Sequence, residues 1–331
     1  MTARRIALLV GLLLGFARPA HAAPVVLRVG SVAPEGSPWA EASLNAARQV
    51  AKASHDAVHL RTFLAGVLGD EPELMAALVA GKLDIYSGTA PAAEIAIPEL
   101  SVFELPFLFK DEAEIERVMK EIFPVLARVA AKRGFRMLAV TAVGFKHLGT
   151  AVPVESLADL RKVRLRSQPS ALQERMWARA GVPHTAIGQI KVQDELAAGT
   201  VNAFDAAITW MYAASWHTRI KHLTLFGHVY QLGVFMAGPS VVQKLTPAQM
   251  KTAFKGLEGL GPDNNRAVRQ VERSLLDTLP GLGVTVSPVP KKLRAEFEAA
   301  CKGLRAEWRR GTTEGGRELL DAIERATGRR E

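Results

Sequence analysis

Several short segments of the chain have the alternation or the apolar run that is typical of strands. Val25–Gly30 is largely apolar and predicts a buried strand, and Val58–Phe63 alternates between apolar and polar residues. Further strand patterns lie at 83–87, 135–144, 163–167 and 201–208. Because these segments recur along the whole chain, strands are not confined to one block of the sequence.

Helix signals fill the intervals between these strands. Ser37 followed by Pro38 predicts a helix start, because serine caps a helix and proline fits its first turn. The pairs Asp111 with Glu114 and Thr246 with Gln249 have the spacing of capping boxes. Further helices are predicted at 71–80, 169–180 and 192–198, and Pro124 is expected to kink or divide the helix that follows Asp111.

The alternation of strands and helices predicts an α/β fold with helices covering the sheets. About 300 residues after the leader are enough for two domains, and no linker rich in Pro, Gly or Ser separates them. The chain is therefore expected to cross between the domains more than once and to close them by hinge motion. We predict domain I at 23–143 with about 232–258, and domain II at 144–231 with about 259–331, with one helix spanning both and long C-terminal helices.

The first 22 residues have the pattern of a secretory signal peptide. Arg4 and Arg5 precede the uncharged apolar segment 6–16, and Ala20–Ala22 is an A-x-A cleavage site. The apolar segment is shorter than the about 20 residues of a membrane-spanning helix. We therefore predict a periplasmic protein that begins at Ala23 and is not inserted stably in a membrane.

The composition excludes some classes of protein. The net charge is +9, but the excess is dispersed and no nucleic-acid-binding motif accompanies it. The single cysteine, Cys301, lies on an apolar helical stripe and is expected to be a buried hydrophobic residue. A nucleophile elbow, a phosphate-binding loop and a zinc-binding histidine motif are absent from the sequence. We predict no catalytic residues, no cofactor and no metal ligands.

Six segments resemble the solute-binding proteins of TRAP transporters, the family typified by C4-dicarboxylate receptors. The resemblance extends from Val26 to at least Trp308, with the segments in the expected order. They are 33–39 (APEGSPW), 68–71 (LGDE) with 80–84 (AGKLD), 104–109 (ELPFLF), 144–148 (GFKHL) with 152–154 (VPV), 159–166 (DLRKVRLR) and 196–203 (LAAGTVNA). It implies a two-domain, type II-like periplasmic binding protein that closes around its ligand.

The resemblance also implies ligand-binding residues. Arg166 matches the family arginine, and a guanidinium forms two parallel hydrogen bonds with a carboxylate. Lys146 lies where relatives often have a second arginine, and it either attracts an anion or is an ordinary surface lysine. Glu71 matches a cleft acid, and the alternative is an acid placed in the first turn of a helix by the helix dipole.

The sequence departs from the family pattern after Gly199. Ala206 and Ala207 replace the Asn and Pro of relatives that bind hydroxylated acids. Phe204, Asp205 and Trp210 complete the predicted ligand-binding set, although core packing also accounts for these aromatic rings. This departure argues against a simple transfer of a sugar acid or malate as the ligand, and a keto acid, an aromatic acid or another monocarboxylate fits at least as well.

The predicted function is an extracytoplasmic receptor that binds a small organic carboxylate and delivers it to the membrane subunits of a TRAP-type transporter. A receptor that feeds a sensor kinase would have the same binding site and remains an alternative. An enzyme that acts on a carboxylate is the third hypothesis. The sequence leaves the identity of the acid, the oligomeric state and any metal that accompanies the ligand open.

Overall fold

The computed structural model describes residues 23–330, so the predicted signal peptide and its cleavage site lie outside the described residues. Ten strands occur in this part of the chain. They are β1 (Val25–Gly30), β2 (Val58–Phe63), β3 (Ile85–Thr89), β4 (Arg136–Thr150), β5 (Leu165–Ser167), β6 (His184–Ala186), β7 (Ala203–Ala207), β8 (His222–Leu225), β9 (Tyr230–Ala237) and β10 (Thr285–Pro288).

Fourteen α-helices accompany the strands within residues 23–330. They are α1 (Pro38–Ala53), α2 (Glu71–Val79), α3 (Ala90–Ala93), α4 (Glu112–Lys132), α5 (Leu157–Leu160), α6 (Ala171–Ala180), α7 (Val192–Ala198), α8 (Ile208–Ala213), α9 (Pro239–Lys244), α10 (Pro247–Ala253), α11 (Leu260–Thr278), α12 (Lys291–Cys301), α13 (Leu304–Gly311) and α14 (Glu314–Thr327). The predicted α/β class and the long C-terminal helices are therefore confirmed.

Several local predictions agree with the structure and two agree only in part. Asp111 accepts a hydrogen bond from the backbone N–H of Glu114, but Glu114 accepts one from the N–H of Lys110, so the second bond of the predicted capping box is not formed. Ser37 caps α1 by accepting a hydrogen bond from the backbone N–H of Ala40. Thr246 and Gln249 form a reciprocal capping box at the start of α10. Helix α4, however, continues through Pro124 as one helix of 21 residues, so the proline does not divide it.

The strands are connected in the order β2-β1-β3-β9-β4-β7-β5-β6. In one half, β1 pairs in parallel with β2 and β3, and β9 pairs antiparallel with β3 and β4. In the other half, β5 is parallel to β6 and β7, while β4 pairs antiparallel with β7 and β8. The two halves form the two-domain α/β architecture that the sequence predicts.

The long strand β4 belongs to both halves. Its segment 136–145 pairs with β9, and its segment 146–150 pairs with β7. The register shifts between Ala142 and Gly144, and Gly144 has a φ of +126°. A side chain is disfavoured at this φ, so the glycine permits the irregularity where the strand changes partner.

Helix α11 follows β4 across this irregularity and contacts α1 and α8 as well. Asn264 donates a hydrogen bond to the carbonyl of Ala142 at 2.9 Å, and the backbone N–H of Ala142 donates one to Asn265 at 2.7 Å. These bonds attach α11 to β4 close to the point where β4 changes its pairing partner from β9 to β7. The exact boundaries of the two domains stay a prediction.

The C-terminal helices cover both halves. Helix α12 packs on α5 and α6, whereas α14 packs on α4. Arg329 binds the buried carboxylate of Glu114 at 2.6 Å and thereby fixes the end of the chain. Cys301 is buried as predicted, and burial raises the pKa of its thiol to about 12. Within residues 23–330, no helix has both the length and the apolar character needed to cross a bilayer.

Candidate functional site

Strand β5 places Arg166 in the interior, between β6 and β7. The side chain is only 1% exposed. Its Nε donates to the carbonyl of Ile187 at 2.9 Å, and Nη2 donates to Oε1 of Gln189 at 3.4 Å. The guanidinium carbon lies 5.2 Å from the ring centre of Trp216, which supplies a cation–π contact.

No carboxylate of the described residues forms an ion pair with Arg166. Burial lowers the pKa of Arg166 to about 10, against the opposing effect of Asp205, Glu71 and Asp70. The guanidinium therefore remains charged at neutral pH. A buried charge is costly unless it is paired and hydrogen-bonded. The geometry consequently leaves Arg166 suited to an anion supplied from outside the protein.

Lys146 lies at the start of the β4 segment that pairs with β7, and it is also only 1% exposed. Its Nζ lies 3.3 Å from Oε1 of Gln168, 3.4 Å from Oε2 of Glu104 and 3.7 Å from Oδ2 of Asp205. The alternative of an ordinary surface lysine is therefore wrong. Two protein carboxylates already surround this ammonium group.

Asp205, which the sequence analysis placed in the ligand-binding set, is completely buried beside Lys146. Burial alone would raise the pKa of Asp205, but Lys146, His228 and Arg166 outweigh it and hold the pKa at about 2. His228 Nε2 lies 3.3 Å from Oδ2 of Asp205, and burial lowers the pKa of this histidine. Asp205 is therefore an ionised, buried counter-charge to Lys146.

Glu104 is the second acid beside Lys146. It is fully buried, and its Oε2 also accepts a hydrogen bond from Nε2 of Gln173. Burial raises the pKa of Glu104, and the nearby charge of Lys146 opposes that rise. Lys146, Asp205, Glu104 and His228 together form a buried polar cluster, which is called the lysine cluster below.

Glu71 lies in the first turn of α2, as one of its two interpretations predicts, and its side chain is buried. Its Oε1 accepts hydrogen bonds from Tyr86 at 2.8 Å and from the backbone N–H of Thr89 at 2.7 Å. Its Oε2 accepts from the Thr89 hydroxyl at 2.9 Å and from Gln168 at 3.4 Å. A carboxylate has about four acceptor sites, so protein donors fill those of Glu71. Burial raises its pKa.

Gln168 connects the groups of the two halves. Its Nε2 donates to Oγ1 of Thr89 at 2.9 Å, in addition to the longer contact with Glu71. Its Oε1 accepts from Gln231 at 2.5 Å and from Lys146. Gln168 therefore links the lysine cluster to α2 and to the strands β3 and β9.

Two predicted aromatic residues occupy different environments. Phe204 is completely buried, with its ring centre 5.4 Å from that of Trp216, and a side chain at Gly149 would collide with it. Trp210 packs on Trp39, with ring centres 5.1 Å apart, and lines a cavity of about 30 Å³, which is large enough for about one water molecule. Phe204 contacts Trp216, which in turn contacts the guanidinium of Arg166. Trp210 instead lines a neighbouring cavity that Thr89 also lines.

Two acidic residues join the halves at the edges of the site. Asp70 caps α2 by accepting from the backbone N–H of Glu71 at 2.8 Å, and it also accepts from the N–H of Ile190 at 3.3 Å. Glu94, at the end of α3, accepts from the Ser170 hydroxyl and the Ala171 N–H at the start of α6, each at 3.2 Å. These contacts connect α2 and α3 to the loop and helix that flank Arg166.

The buried position of Glu94 predicts a pH-dependent contribution to stability. Burial, together with the charge of Glu104, raises the pKa of Glu94 from 4.5 to about 7. The folded protein therefore binds this proton more tightly than the unfolded chain does, so the contribution is full below about pH 4.5 and is lost as the pH rises through 7. We expect Glu94→Gln to reduce the fall in melting temperature between pH 5 and pH 8.

The control is Glu73→Gln, which alters an exposed glutamate of α2. This variant should show the pH profile of the unaltered protein. Melting curves of the three proteins across pH 5–8 measure the effect. Parallel profiles for Glu94→Gln and the unaltered protein would contradict the assignment.

Sequence reasoning missed Gln168, Gln189, Glu104 and His228. Gln168 follows the last residue of β5 directly, and its role depends on contacts with Thr89, Glu71 and Gln231, which lie far away in the sequence. Glu104 and His228 carried no local signal. Among residues 23–330, no group of three or more His, Cys, Asp or Glu side chains is placed to hold a metal ion.

Two α/β halves with charged side chains buried between them are typical of binding proteins that enclose a small ligand. The model of a protein family, "Bacterial extracellular solute-binding protein, family 7" (DctP), matches residues 29–310. The chain therefore belongs to this family of solute-binding proteins, which the resemblance to TRAP receptors predicted.

Similar proteins support this assignment. A solute-binding protein of Verminephrobacter eiseniae is 28% identical over 292 residues, which cover 87% of this chain and 86% of the relative. The C4-dicarboxylate-binding periplasmic protein DctP of Rhodobacter capsulatus is 23% identical over 330 residues, or 98% and 96% of the two chains.

A similar fold occurs in the crystal structure of a TRAP periplasmic solute-binding protein from Polaromonas sp. JS666 bound to D-erythronate. The TM-score is 0.83 at 22% identity, with 91% of this chain and 98% of that chain covered. The family is extracytoplasmic and its members are transport receptors.

Proposed function

We propose that this protein is the periplasmic receptor of a TRAP-type transporter and that it binds a small organic carboxylate between its two halves. The observation that carries the proposal is Arg166, a charged guanidinium that is 1% exposed and has no ion-pair partner among the described residues. A carboxylate between the halves would pair with it, and Trp216 would cover the other side of the contact.

Closure of the two halves around the ligand would distinguish the ligand-bound receptor from the ligand-free one for the membrane subunits. Contacts between the halves run from Asp70 to Ile190, from Glu94 to the start of α6, and from Thr89 to Gln168. A ligand bound to Arg166 would add its own contacts to this set and favour the closed form over an open one. The membrane subunits of the transporter would then recognise the closed form.

Binding without chemical conversion fits the groups in the site. The described residues around Arg166 supply fixed charges, amides and aromatic rings, and Cys301 lies in the C-terminal helices with the pKa of its thiol raised to about 12. We therefore propose that the protein is not an enzyme. Export through a signal peptide at 1–22, cleaved before Ala23, belongs to the same proposal.

A thermal-shift screen against small carboxylates tests the proposal. The protein is first unfolded and refolded by dialysis, so that a ligand carried through purification is removed. An acid present at about 100 times its dissociation constant adds roughly 2.7 kcal/mol of stability, which raises the melting temperature. We expect one chemical class of acids to give a selective rise. The absence of a shift with hydroxy, keto, aromatic, dicarboxylic and sugar acids would contradict the proposal.

A further inference from the structure

The site contains two buried cations with different surroundings. Arg166 and Lys146 are the only Lys or Arg side chains that are buried within residues 23–330, each being 1% exposed. Both stand in the part of the fold where β4, β5 and β7 meet. If only the positive charges are counted, two buried cations could pair with two carboxylates of one ligand.

Protein carboxylates already balance Lys146. Oδ2 of Asp205 lies 3.7 Å and Oε2 of Glu104 lies 3.4 Å from its Nζ. Asp205 is ionised at neutral pH, because its pKa lies at about 2. The ammonium group therefore has a full counter-charge before any ligand enters, and Gln168 fills a further direction of its hydrogen bonding.

The surroundings of Arg166 are already acidic. Asp205, Glu71 and Asp70 all act on its charge, although none of them is within ion-pair distance. One ligand carboxylate would supply the ion-pair partner that the guanidinium lacks among the described residues. A second carboxylate enclosed beside it would meet the acidic groups of the site without a cation of its own, and an unpaired buried charge is strongly disfavoured.

We propose that this site selects acids with a single carboxylate and discriminates against dicarboxylates of the same length, because Arg166 is the one buried cation that the described protein groups leave unpaired. This inference rests on the proposed function and narrows its ligand class. Hydroxyl, keto or apolar groups occupy the remaining part of such a ligand.

Matched pairs of acids test the inference by titration calorimetry at pH 7.5. The pairs are butyrate with succinate, 2-hydroxybutyrate with malate, and gluconate with glucarate, and succinamate serves as the uncharged-amide analogue of succinate. In each pair that binds, we expect the singly charged acid to bind at least ~10-fold more tightly. A dicarboxylate that binds as tightly as its partner, or more tightly, would overturn the inference.

The two failures are distinguishable. Tight binding of a dicarboxylate that Arg166→Ala abolishes would leave the proposed function intact and overturn the charge selection alone. If no acid of any pair binds and no acid of the thermal-shift screen binds either, the proposed function and the inference fall together.

Variants of the lysine cluster test the cause of the selection. Asp205→Asn removes the ionised counter-charge of Lys146 and should shift the ratio of the two affinities toward the dicarboxylate by about 10-fold. Glu104→Gln should shift it in the same direction, and it provides the measurement if the first variant does not fold. Asp84→Asn is the control, because Asp84 is equally buried and is paired with Lys244 elsewhere in the fold. An unchanged ratio in a folded cluster variant would overturn the proposed cause.

Discussion

Arg166→Ala is expected to lower the affinity for the carboxylate by roughly 30-fold to several thousand-fold. Removing one partner of a buried, hydrogen-bonded charge pair costs about 2–5 kcal/mol of binding free energy. Arg166 is 1% exposed, and the ligand carboxylate would be its direct partner. Titration calorimetry with the acid that gives the largest thermal shift measures the loss.

Two further variants separate a ligand anchor from a structural residue. Arg166→Lys keeps the charge but loses the planar fork, so its affinity should lie between those of the alanine variant and the unaltered protein. Arg164→Ala alters an exposed neighbour whose side chain bonds to the carbonyls of Gly199 and Thr200, and it should leave affinity unchanged.

The ligand-free stability of the same variants supplies a second readout. Because Arg166 has no ion-pair partner among the described residues, Arg166→Ala removes a buried charge without leaving another one unpaired. The fall in the melting temperature of the ligand-free protein should therefore come only from the lost packing of this buried side chain and its hydrogen bond to the carbonyl of Ile187. Unchanged affinity in Arg166→Ala would contradict its role as the anchor, whatever the melting temperature.

Lys146→Met is expected to destabilise the ligand-free protein by about 3–5 kcal/mol, in contrast to Arg166→Ala, whose main effect is on ligand affinity. The variant leaves the carboxyl group of Asp205 fully buried and without the ammonium group that lowers its pKa most. Glu104 loses its cationic partner at the same time. Methionine has a similar length, so the loss comes from charge rather than from an empty volume. Urea unfolding of the ligand-free protein measures the change.

Lys244→Met is the matched control for this variant. Lys244 also pairs with a buried aspartate, Asp84, at 2.8 Å, but its own side chain is 40% exposed. Asp84 keeps hydrogen bonds from the backbone N–H of Arg28 and from the Ser240 hydroxyl. A smaller loss, about 1 kcal/mol, is therefore expected. Equal losses in the two variants would contradict a special role for the lysine cluster in stability.

The sequence predicted the elements of the fold best where a local signal determines them. The caps at Ser37 and Thr246 and the C-terminal ends of α6 and α7 lie where the pattern placed them. Strand β4 is longer than predicted. It changes its pairing partner at Gly144, where the predicted strand ends, and the local sequence pattern does not show that the strand continues with a new partner. The continuity of α4 through Pro124 depends on packing that a local rule does not include.

The site was predictable in part. The resemblance located Arg166, but the surroundings of Lys146 depend on partners far away in the sequence. The pairing of β7 with β4 brings Asp205 to this lysine, whereas Glu104 belongs to a short helical segment before α4 that packs on β9. Glu71 was correctly placed in a first helical turn, whereas the saturation of its oxygens by Tyr86, Thr89 and Gln168 required the folded structure.

The crystal structure of the protein with the acid identified by the thermal-shift screen tests the central claim most directly. The account predicts one ligand carboxylate bound by the Arg166 guanidinium at about 2.7–2.9 Å, with Lys146 still held by Asp205 and Glu104. A carboxylate bound away from Arg166, with this guanidinium bonded only to protein groups, would contradict it.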